Sequence, residues 1–394
     1  MQLLDVDEKN NQNPAFGFET GPIRPPSEAA SLLLRVTRNC PWNRCKFCGV
    51  YKGSRFSVRS VEEVKADIDA MAHYRDLLFS CMGKDGKPDR KAMLRTIQQA
   101  DELTREQMYQ LLNWILNGKG ESVFLQDANS IVLKPERLAE ILRYLRKVFP
   151  GIKRVTSYGR ADTLARLSVE DLRLLRQAGL DRIHSGYESG SDQVLERIGK
   201  GCSKQQEIEG GLKTKEAGLE LSLYFMPGVG GKALSEENAR ESADVINRVD
   251  PDFVRIRTFV AKPGTELGSQ VESGQMAPCT DQEKAAELRL MLEQIHGCRG
   301  VLVSDHIVNL LESVNGSLAQ DREWMIGQIQ RFENMSFDGK REFQLARRMG
   351  LVRRPEDVKR LSPQVRKEIH LLMQKTQEND QWERLMNYFL QQYI

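Results

Sequence analysis

The sequence lacks long apolar runs and a strong excess of either charge. Hydrophobic residues make up 40% of the 394 positions, yet no run of them approaches the roughly eighteen residues that a membrane-spanning helix needs. The 58 basic residues exceed the 55 acidic ones by only three, a net charge of +3. So small an excess does not predict binding to nucleic acid or to an acidic membrane surface. We therefore expect neither a nucleic acid nor a membrane as partner.

Cysteine is scarce, and its pattern does not suggest disulfide bonds. The chain has seven cysteines, an odd number, and three of them lie within residues 40–48. The first thirty residues also lack the basic start and apolar middle of a secretory signal. Reduced thiols or metal ligands fit this usage better than a disulfide framework. These features predict a cytoplasmic protein.

Segments with the pattern of buried strands alternate with amphipathic segments from residue 32 onward. The amphipathic segments carry the residues typical of helix ends. Ser60 with Glu63 forms a capping-box pattern at the start of one predicted helix, and Ser168 and Gly179 stand at the start and the end of another. The strand-like segments are apolar runs bounded by turn residues. They lie at residues 32–38, 122–128, 154–160, 182–189, 219–228 and 253–260.

Six alternating units predict an α/β fold of parallel strands with right-handed crossovers. Because a closed TIM barrel has eight units, we expect a partial, TIM-like (β/α)6 barrel with ligands at the carboxyl ends of its strands. A helical insertion interrupts the pattern after the first unit, at about residues 75–120. The predicted division is an extended N-terminal arm at residues 1–28, a core at 29–262 and a mainly α-helical C-terminal region at 263–394, where residues 300–307 could add an edge strand.

Three cysteines stand close together in the run CPWNRCKFC, as Cys40, Cys45 and Cys48. No second pair of cysteines or histidines follows at the spacing of a zinc finger or ribbon, so zinc is disfavoured. The spacing C-x4-C-x2-C also occurs in plant-type [2Fe–2S] ferredoxins, and Cys81 could serve as the distant fourth ligand. However, a small electron carrier would have no use for five further β/α units.

A third interpretation uses only the clustered thiolates. A [4Fe–4S] cluster held by three cysteines leaves one iron open to a small molecule. The cysteine loop follows the first predicted strand, and a β/α barrel binds its ligands at that end of its strands. On this interpretation the absent fourth cysteine is a functional feature.

The cysteine segment resembles that of the radical S-adenosylmethionine (radical SAM) enzymes. In that family the open iron binds the amino and carboxylate groups of S-adenosylmethionine, and reduction of the cluster yields a 5′-deoxyadenosyl radical that abstracts hydrogen. The resemblance makes Cys40, Cys45 and Cys48 the cluster ligands and Phe47 the aromatic residue beside the adenine. Most members have C-x3-C-x2-C, whereas this chain has one extra residue among positions 41–44. The loop conformation of the family is therefore a weaker guide to the loop of this chain than the ligand assignment is.

The run GYESGSDQVLERIGKG, at residues 186–201, resembles the fourth-strand segment of one branch of that family. This is the oxygen-independent coproporphyrinogen III oxidase and elongator-type branch. The resemblance assigns Glu188 and Ser189 to the ribose hydroxyls of the cofactor. It assigns Lys200 to the methionyl carboxylate.

Other strand ends carry further candidates for cofactor binding. Asp127 stands where the family contacts the methionyl amino group, although a turn aspartate would look the same. Ser157 and Arg160 follow the third strand and could face the barrel mouth. Arg255 and Arg257 alternate onto one face, where they either line a substrate cavity or solvate an edge.

The resemblance implies an enzyme with a [4Fe–4S] cluster and S-adenosylmethionine as cofactors, acting on a small molecule or another organic substrate. It implies a low-potential electron donor of the flavodoxin or ferredoxin type and anaerobic chemistry. The sequence identifies neither the substrate nor a catalytic residue. The alternative is a non-catalytic iron–sulfur protein, a [2Fe–2S]-like electron carrier or binding module that would use Cys81.

Overall fold

The computed structural model describes residues 17–83, 87–376 and 378–392. The strands in these ranges are β1 (Leu32–Arg35), β2 (Thr37–Arg38), β3 (Ser57–Val58), β4 (Ser122–Gln126), β5 (Arg154–Tyr158), β6 (Arg182–Glu188), β7 (Glu220–Phe225), β8 (Phe253–Ile256), β9 (Val301–Val303) and β10 (Gly316–Ser317). The α-helices are α1 (Val61–Phe79), α2 (Arg90–Gln98), α3 (Glu102–Asn117), α4 (Pro135–Val148), α5 (Ala161–Arg166), α6 (Val169–Ala178), α7 (Asp192–Arg197), α8 (Lys204–Glu216), α9 (Ser235–Val249), α10 (Glu266–Glu272), α11 (Asp281–Gln294), α12 (Arg322–Glu333), α13 (Phe337–Arg348), α14 (Pro363–Lys375) and α15 (Asn379–Gln391).

The chain divides into two compact units. Of the described residues, the first contains those up to 39 together with 55–158 and 174–181. The second contains residues 40–54, 159–173 and those from 182 onward. The three clustered cysteines therefore belong to the second unit, although the strand that precedes them belongs to the first.

The first unit is built on the parallel strands β1, β4 and β5. Leu32 of β1 lies opposite Val123 of β4, and Ser122 of β4 lies opposite Arg154 of β5. Helices α3 and α4 pack against α1 in this unit. The capping box predicted for α1 is present, because Ser60 and Glu63 each accept the other's backbone N–H. The predicted insertion is helical, with the end of α1 followed by α2 and α3.

The second unit is built on β6, β7, β8 and β9, which pair in parallel in that order. The short β10 pairs antiparallel with β9. Apolar side chains of β6–β9 form one core with α8, α9, α11 and the helices that follow. Tyr187, Phe225 and Leu302 are among its fully buried members. This packed core therefore fixes the positions of the strands whose carboxyl ends carry the candidate residues.

The α/β class predicted from the sequence is confirmed. Each of the six predicted strand segments contains a strand, and the predicted edge segment contains β9. The first segment is divided, because β1 ends at Arg35 and the hairpin strand β2 begins at Thr37. From α10 onward the chain is mainly helical, as expected. Of the predicted N-terminal arm, residues 1–16 lie outside the described ranges, and 17–25 form neither helix nor strand.

None of the helices in the described ranges combines the length and the apolar composition that crossing a bilayer requires.

Candidate functional site

The three clustered cysteines lie on a loop, residues 40–54, that forms neither helix nor strand. Two backbone hydrogen bonds tie this loop to other parts of the second unit. The Lys46 N–H donates to the Ile198 carbonyl at 2.8 Å, and the Lys46 carbonyl accepts the Leu267 N–H at 3.0 Å. The loop is therefore attached to the segment after α7 and to the first turn of α10.

All three clustered thiols are free and half-buried. The Sγ atom of Cys40 accepts the N–H of Asn43 at 3.4 Å. The Cys48 N–H donates to the Cys45 carbonyl at 3.3 Å. An N–H directed at a sulfur stabilises the thiolate form, which is the form that binds iron.

The donor set fits an iron–sulfur cluster better than a single metal ion. Within the described ranges, no three His, Cys, Asp or Glu side chains converge as ligands of one ion. A four-iron cluster needs no such convergence, because each thiolate binds a different iron. Burial raises the pKa of the Cys45 thiol, while the cations Lys200 and Arg160 oppose that effect. Burial has the larger effect, so the pKa of the Cys45 thiol lies above its ordinary value and the charges of Lys200 and Arg160 offset the rise only in part.

A left-handed turn at Asn43 accommodates the extra residue between the first two cysteines. Its φ is +47°, a conformation that asparagine tolerates better than most residues with a Cβ. The Asn43 amide donates to the carbonyl of Tyr51 and, at 3.4 Å, to that of Ser54. One residue therefore turns the chain, fastens the loop to its own far end and contacts the Cys40 sulfur.

A buried ion pair lies at the carboxyl end of β6. The ammonium of Lys200 lies 2.9 Å from Oε1 of Glu188. Burial by itself lowers the pKa of Lys200, but the charges of Glu188 and Cys45 outweigh it, so the pKa is raised and the lysine stays protonated. Glu188 has a φ of +69°, and the register of β6 with β7 shifts between Gly186 and Glu188. Strained backbone of this kind at a strand end is typical of functional sites.

Arg160 is fixed beside this pair, at the N-cap of α5. Its guanidinium donates to the Lys200 carbonyl at 2.8 Å and to Asp162 at 2.8 Å. The same guanidinium lies 5.2 Å from the ring centroid of Trp42, and the Trp42 indole donates to the Gly199 carbonyl at 2.8 Å. Trp42 thus joins the cysteine loop to the segment that carries Lys200.

Phe47 and Ser189 complete the predicted residues of the second unit. The Phe47 ring is partly buried against an apolar cluster that includes Ile198 and Met226, and the Lys200 ammonium lies 6.0 Å from its centroid. Ser189 is fully buried, and its hydroxyl accepts the Ser191 N–H at 3.0 Å. The hydroxyl of Ser189 therefore helps to close the turn before α7.

Two predicted residues, Asp127 and Ser157, belong to the first unit. The carboxylate of Asp127 is buried, and its Oδ2 accepts two hydrogen bonds from Arg35, at 2.8 and 2.6 Å, and one from the Asn39 N–H at 2.9 Å. Its Oδ1 has no hydrogen-bond partner among the described residues. The buried hydroxyl of Ser157 donates to the neighbouring Tyr158 carbonyl at 2.9 Å.

The second unit thus brings together most of the residues predicted from the sequence. They are Cys40, Cys45, Cys48, Phe47, Arg160, Glu188, Ser189 and Lys200. Sequence reasoning did not single out Asn43, Lys262, His306 or Glu287. A turn-forming residue within the irregular cysteine spacing could have indicated Asn43. The other three lie far from the cysteines in sequence, and no local pattern marks them.

Glu287 of α11 anchors the glycine-rich loop that follows β7. Its Oε1 accepts the Gly228 N–H at 3.0 Å and the Asn238 amide at 2.6 Å, and its Oε2 accepts the Ser235 hydroxyl. Burial raises the pKa of Glu287 to about 7, and these three hydrogen bonds limit the rise. The glycine-rich loop is therefore held by a carboxyl group that titrates near neutral pH.

Residues 81–243 match the family model described as the Radical SAM superfamily. The matched segment begins after the cysteine loop and contains the Glu188–Lys200 pair, Arg160 and both first-unit candidates. This segment, 163 of the 394 residues, is similar to the radical SAM superfamily. The cysteine loop, with its C-x4-C-x2-C spacing, lies outside the matched residues, which begin at residue 81.

The curated relatives that match this chain are distant. It is 20% identical over 196 residues to the heme chaperone HemW of Bacillus subtilis, covering 49% of this chain and 51% of that protein. It is 25% identical over 230 residues to the 4′-phospho-dehydrooxetanocin synthase of Priestia megaterium, covering 56% of this chain and 26% of that protein. The chain thus spans about half the length of the first relative and about a quarter of the second.

Solved structures give an equally distant likeness. A cobalamin-dependent S-adenosylmethionine radical enzyme matches 92% of this chain and 58% of its own, at 15% identity and a TM-score of 0.45. The coproporphyrinogen III oxidase of Escherichia coli matches 67% of this chain and 50% of its own, at 11% identity and a TM-score of 0.41. At these values the likeness carries no weight for function.

Proposed function

We propose that this chain is a radical SAM enzyme that binds a [4Fe–4S] cluster through Cys40, Cys45 and Cys48 and acts on an organic substrate. The observation that carries the proposal is the buried Glu188–Lys200 pair, whose lysine influences the Cys45 thiol. When bound, the cluster and S-adenosylmethionine supply a 5′-deoxyadenosyl radical that abstracts hydrogen. The match of residues 81–243 to the radical SAM family model supports this assignment.

The cysteine loop and the end of β6 provide the proposed cofactor contacts. The three thiolates bind three irons and leave the fourth for the amino and carboxylate groups of the cofactor. Lys200 stays protonated because of Glu188, so it can pair with that carboxylate. The described hydrogen bond to Lys200 uses only Oε1 of Glu188, which leaves Oε2 to accept a ribose hydroxyl. Phe47 offers a ring face to the adenine.

The remaining candidates have supporting roles in the proposal. Ser189 assists Glu188 at the ribose. Arg160 holds the Lys200 backbone and adds positive charge near the cofactor carboxylate. Asp127, whose Oδ1 has no hydrogen-bond partner among the described residues, is proposed to accept the methionyl amino group, and Ser157 is proposed as a neighbour of the cofactor from its place at the end of β5.

The same proposal extends to the organisation of the chain and its partners. Residues 29–262 are proposed as the catalytic core and residues 263–394 as a separate helical region. The cluster needs an external reductant, and we propose a low-potential flavodoxin or ferredoxin. A cytoplasmic location and anaerobic conditions would keep the thiols and the cluster reduced.

The test is formation of 5′-deoxyadenosine by protein reconstituted with iron and sulfide without oxygen. With dithionite and S-adenosylmethionine, we expect the nucleoside to form and to require all three clustered cysteines. The Glu188→Ala variant should keep its iron but bind S-adenosylmethionine at least about tenfold more weakly. Glu216→Ala, which removes an exposed carboxylate of the same unit, is the matched control. Loss of iron from a Glu188→Ala variant that thermal unfolding shows to be folded would mean that Glu188 is misassigned.

A further inference from the structure

A cavity opens beside Cys48 in the second unit, at the carboxyl end of β8. Its polar lining comes from Arg257 and Thr258 directly after β8, Lys262 further along, and His306 after β9. Phe47 and Met226 are among its apolar lining residues. The cavity therefore combines positive charge and apolar surface next to a proposed cluster ligand.

The positive charge of this cavity is not neutralised within the protein. In the described ranges, neither Arg257 nor Lys262 forms a salt bridge or a side-chain hydrogen bond. Arg255, two residues earlier, provides a contrast because it is buried, binds Asp305 at 3.0 Å and donates to Ser222 at 3.0 Å. Burial and then the charge of Arg257 lower the pKa of Lys262. Arg257 and Lys262 therefore place two cations in the cavity lining, and neither forms an ion pair among the described residues.

His306 adds a neutral hydrogen-bonding group to the same lining. Burial, followed by the charge of Arg257, lowers its pKa to about 4, so the ring is uncharged at neutral pH. Its Nδ1 accepts the Val308 N–H at 3.3 Å. The proton of the neutral ring must then lie on Nε2, which makes that atom a donor.

The wall that carries His306 is held in place by Asn309 and by the C-terminal helices. The Asn309 amide oxygen accepts both the N–H and the hydroxyl of Thr258, each at 2.9 Å, and its Nδ2 donates to the Ile256 carbonyl at 2.7 Å. Arg348 of α13 donates to the Val308 carbonyl at 2.8 Å. The cavity is therefore preorganised, which lowers the cost of ordering it around a ligand.

We propose that this cavity binds the anionic group of an organic acid substrate, a carboxylate or a phosphate, through Arg257 and Lys262. His306 donates a further hydrogen bond to the anion, and the apolar part of the substrate lies against Met226. This proposal rests on the proposed function, because the position beside Cys48 would place such a substrate near the radical. It also gives the C-terminal region a role, namely to hold one wall of the substrate site.

Calorimetric titration of anaerobically reconstituted protein, saturated with S-adenosylmethionine, tests the proposal. Phenyl phosphate and benzoate are the anionic probes, and benzyl alcohol is the neutral one. We expect at least one anion to bind, more weakly as salt is raised, and benzyl alcohol to bind at least about tenfold more weakly. The preferred anion identifies the anionic group.

Variants at the two cations make the test specific to the cavity. Arg257→Gln with Lys262→Gln should weaken binding of the preferred anion at least about tenfold. Arg257→Lys alone, which keeps the charge, should weaken it less. Arg299→Gln is the matched control, because Arg299 is 85% exposed and pairs with Asp250 away from the cavity lining. Iron content and thermal unfolding show whether each variant is folded.

The outcomes separate this proposal from the proposed function. Failure of both anions to bind the wild type, or equal binding to the double variant, overturns the anion site. Competition between the anions and S-adenosylmethionine also overturns it, because the cations would then serve the carboxylate of the cofactor. If the anions bind as expected but wild-type protein forms no 5′-deoxyadenosine, the anion site stands and the radical function is overturned.

Discussion

The Lys200 ammonium lies 2.9 Å from a carboxylate oxygen of Glu188, and the two side chains are only 7% and 11% exposed. A pair this well buried is costly to break, because removing one partner leaves the other charge without compensation. Both members come from one short sequence segment, on either side of α7. The pair therefore stabilises this segment and presents a charge of each sign for cofactor binding.

Replacing Lys200 with methionine should lower the free energy of unfolding by about 3–5 kcal/mol, because Glu188 is left charged and buried. The double variant Lys200→Met with Glu188→Gln should recover most of that loss. Urea denaturation of the metal-free protein measures both values. Arg173→Met, at an exposed pair with Glu216, should cost no more than about 1 kcal/mol. A double variant no more stable than the single one would contradict the explanation.

The cluster ligands are predicted to be the three clustered cysteines and not Cys81. Cys45→Ser should abolish the cluster, whereas Cys81→Ser should keep the full iron and sulfide content. The Cys81 thiol lies 3.3 Å from the Thr96 hydroxyl within the first unit, which is an ordinary structural environment. Iron and sulfide analysis after anaerobic reconstitution decides the question. A cluster that depends on Cys81 would indicate the ferredoxin-like alternative.

Asn43 is predicted to maintain the loop that the extra residue lengthens. Asn43→Gly permits the positive φ but removes the amide contacts, whereas Asn43→Ala removes those contacts and also adds about 1–2 kcal/mol of backbone strain. The rate at which an iron chelator strips the cluster should therefore rise in the order wild type, glycine variant, alanine variant. Equal rates for the two variants would mean that the left-handed turn is unimportant for cluster retention.

Stability should fall as pH rises through neutrality because of Glu287. Its carboxyl group has a pKa of about 7 when folded, against 4.5 for the free group. Between these values the folded protein holds a proton that the unfolded chain releases, so the stabilisation is complete below about pH 4.5 and is lost as pH rises through 7. The difference corresponds to about 3 kcal/mol.

Glu287→Gln should remove this contribution to the pH dependence. The measurement is urea denaturation of wild type and variant at pH 5 and pH 8. The quantity compared is the change in the free energy of unfolding between the two pH values. His306 acts in the opposite direction, since its pKa of about 4 makes folding more favourable as pH rises from about 4 to 6.5. Comparing the variant with wild type cancels that effect. An unchanged difference between the two pH values would contradict the assignment.

The sequence predicted the β/α alternation well because that information is local. Periodicity placed all six strands, and the capping box at Ser60 and the cap at Ser168 formed as expected. The sequence also contained the Glu188 and Lys200 pattern, since both residues lie in one motif. What it could not predict was the left-handed backbone at Glu188, which residues with a Cβ rarely adopt.

Contacts between distant segments were equally beyond prediction. Trp42 meets the segment after α7, Glu287 meets the loop after β7, and Asn309 meets the end of β8. Each of these contacts depends on how the second unit packs. Neither the spacing of residues in the sequence nor the amino-acid composition predicts that packing. The cavity beside Cys48 exists only because such contacts bring Arg257 and His306 into one lining.

The most direct test of the central claim is electron paramagnetic resonance of the reduced cluster with and without S-adenosylmethionine. Binding of the cofactor to an open iron should change the g-values of a four-iron signal, and Cys81→Ser should leave both spectra unaltered. A two-iron signal that ignores S-adenosylmethionine and disappears in Cys81→Ser would contradict the account.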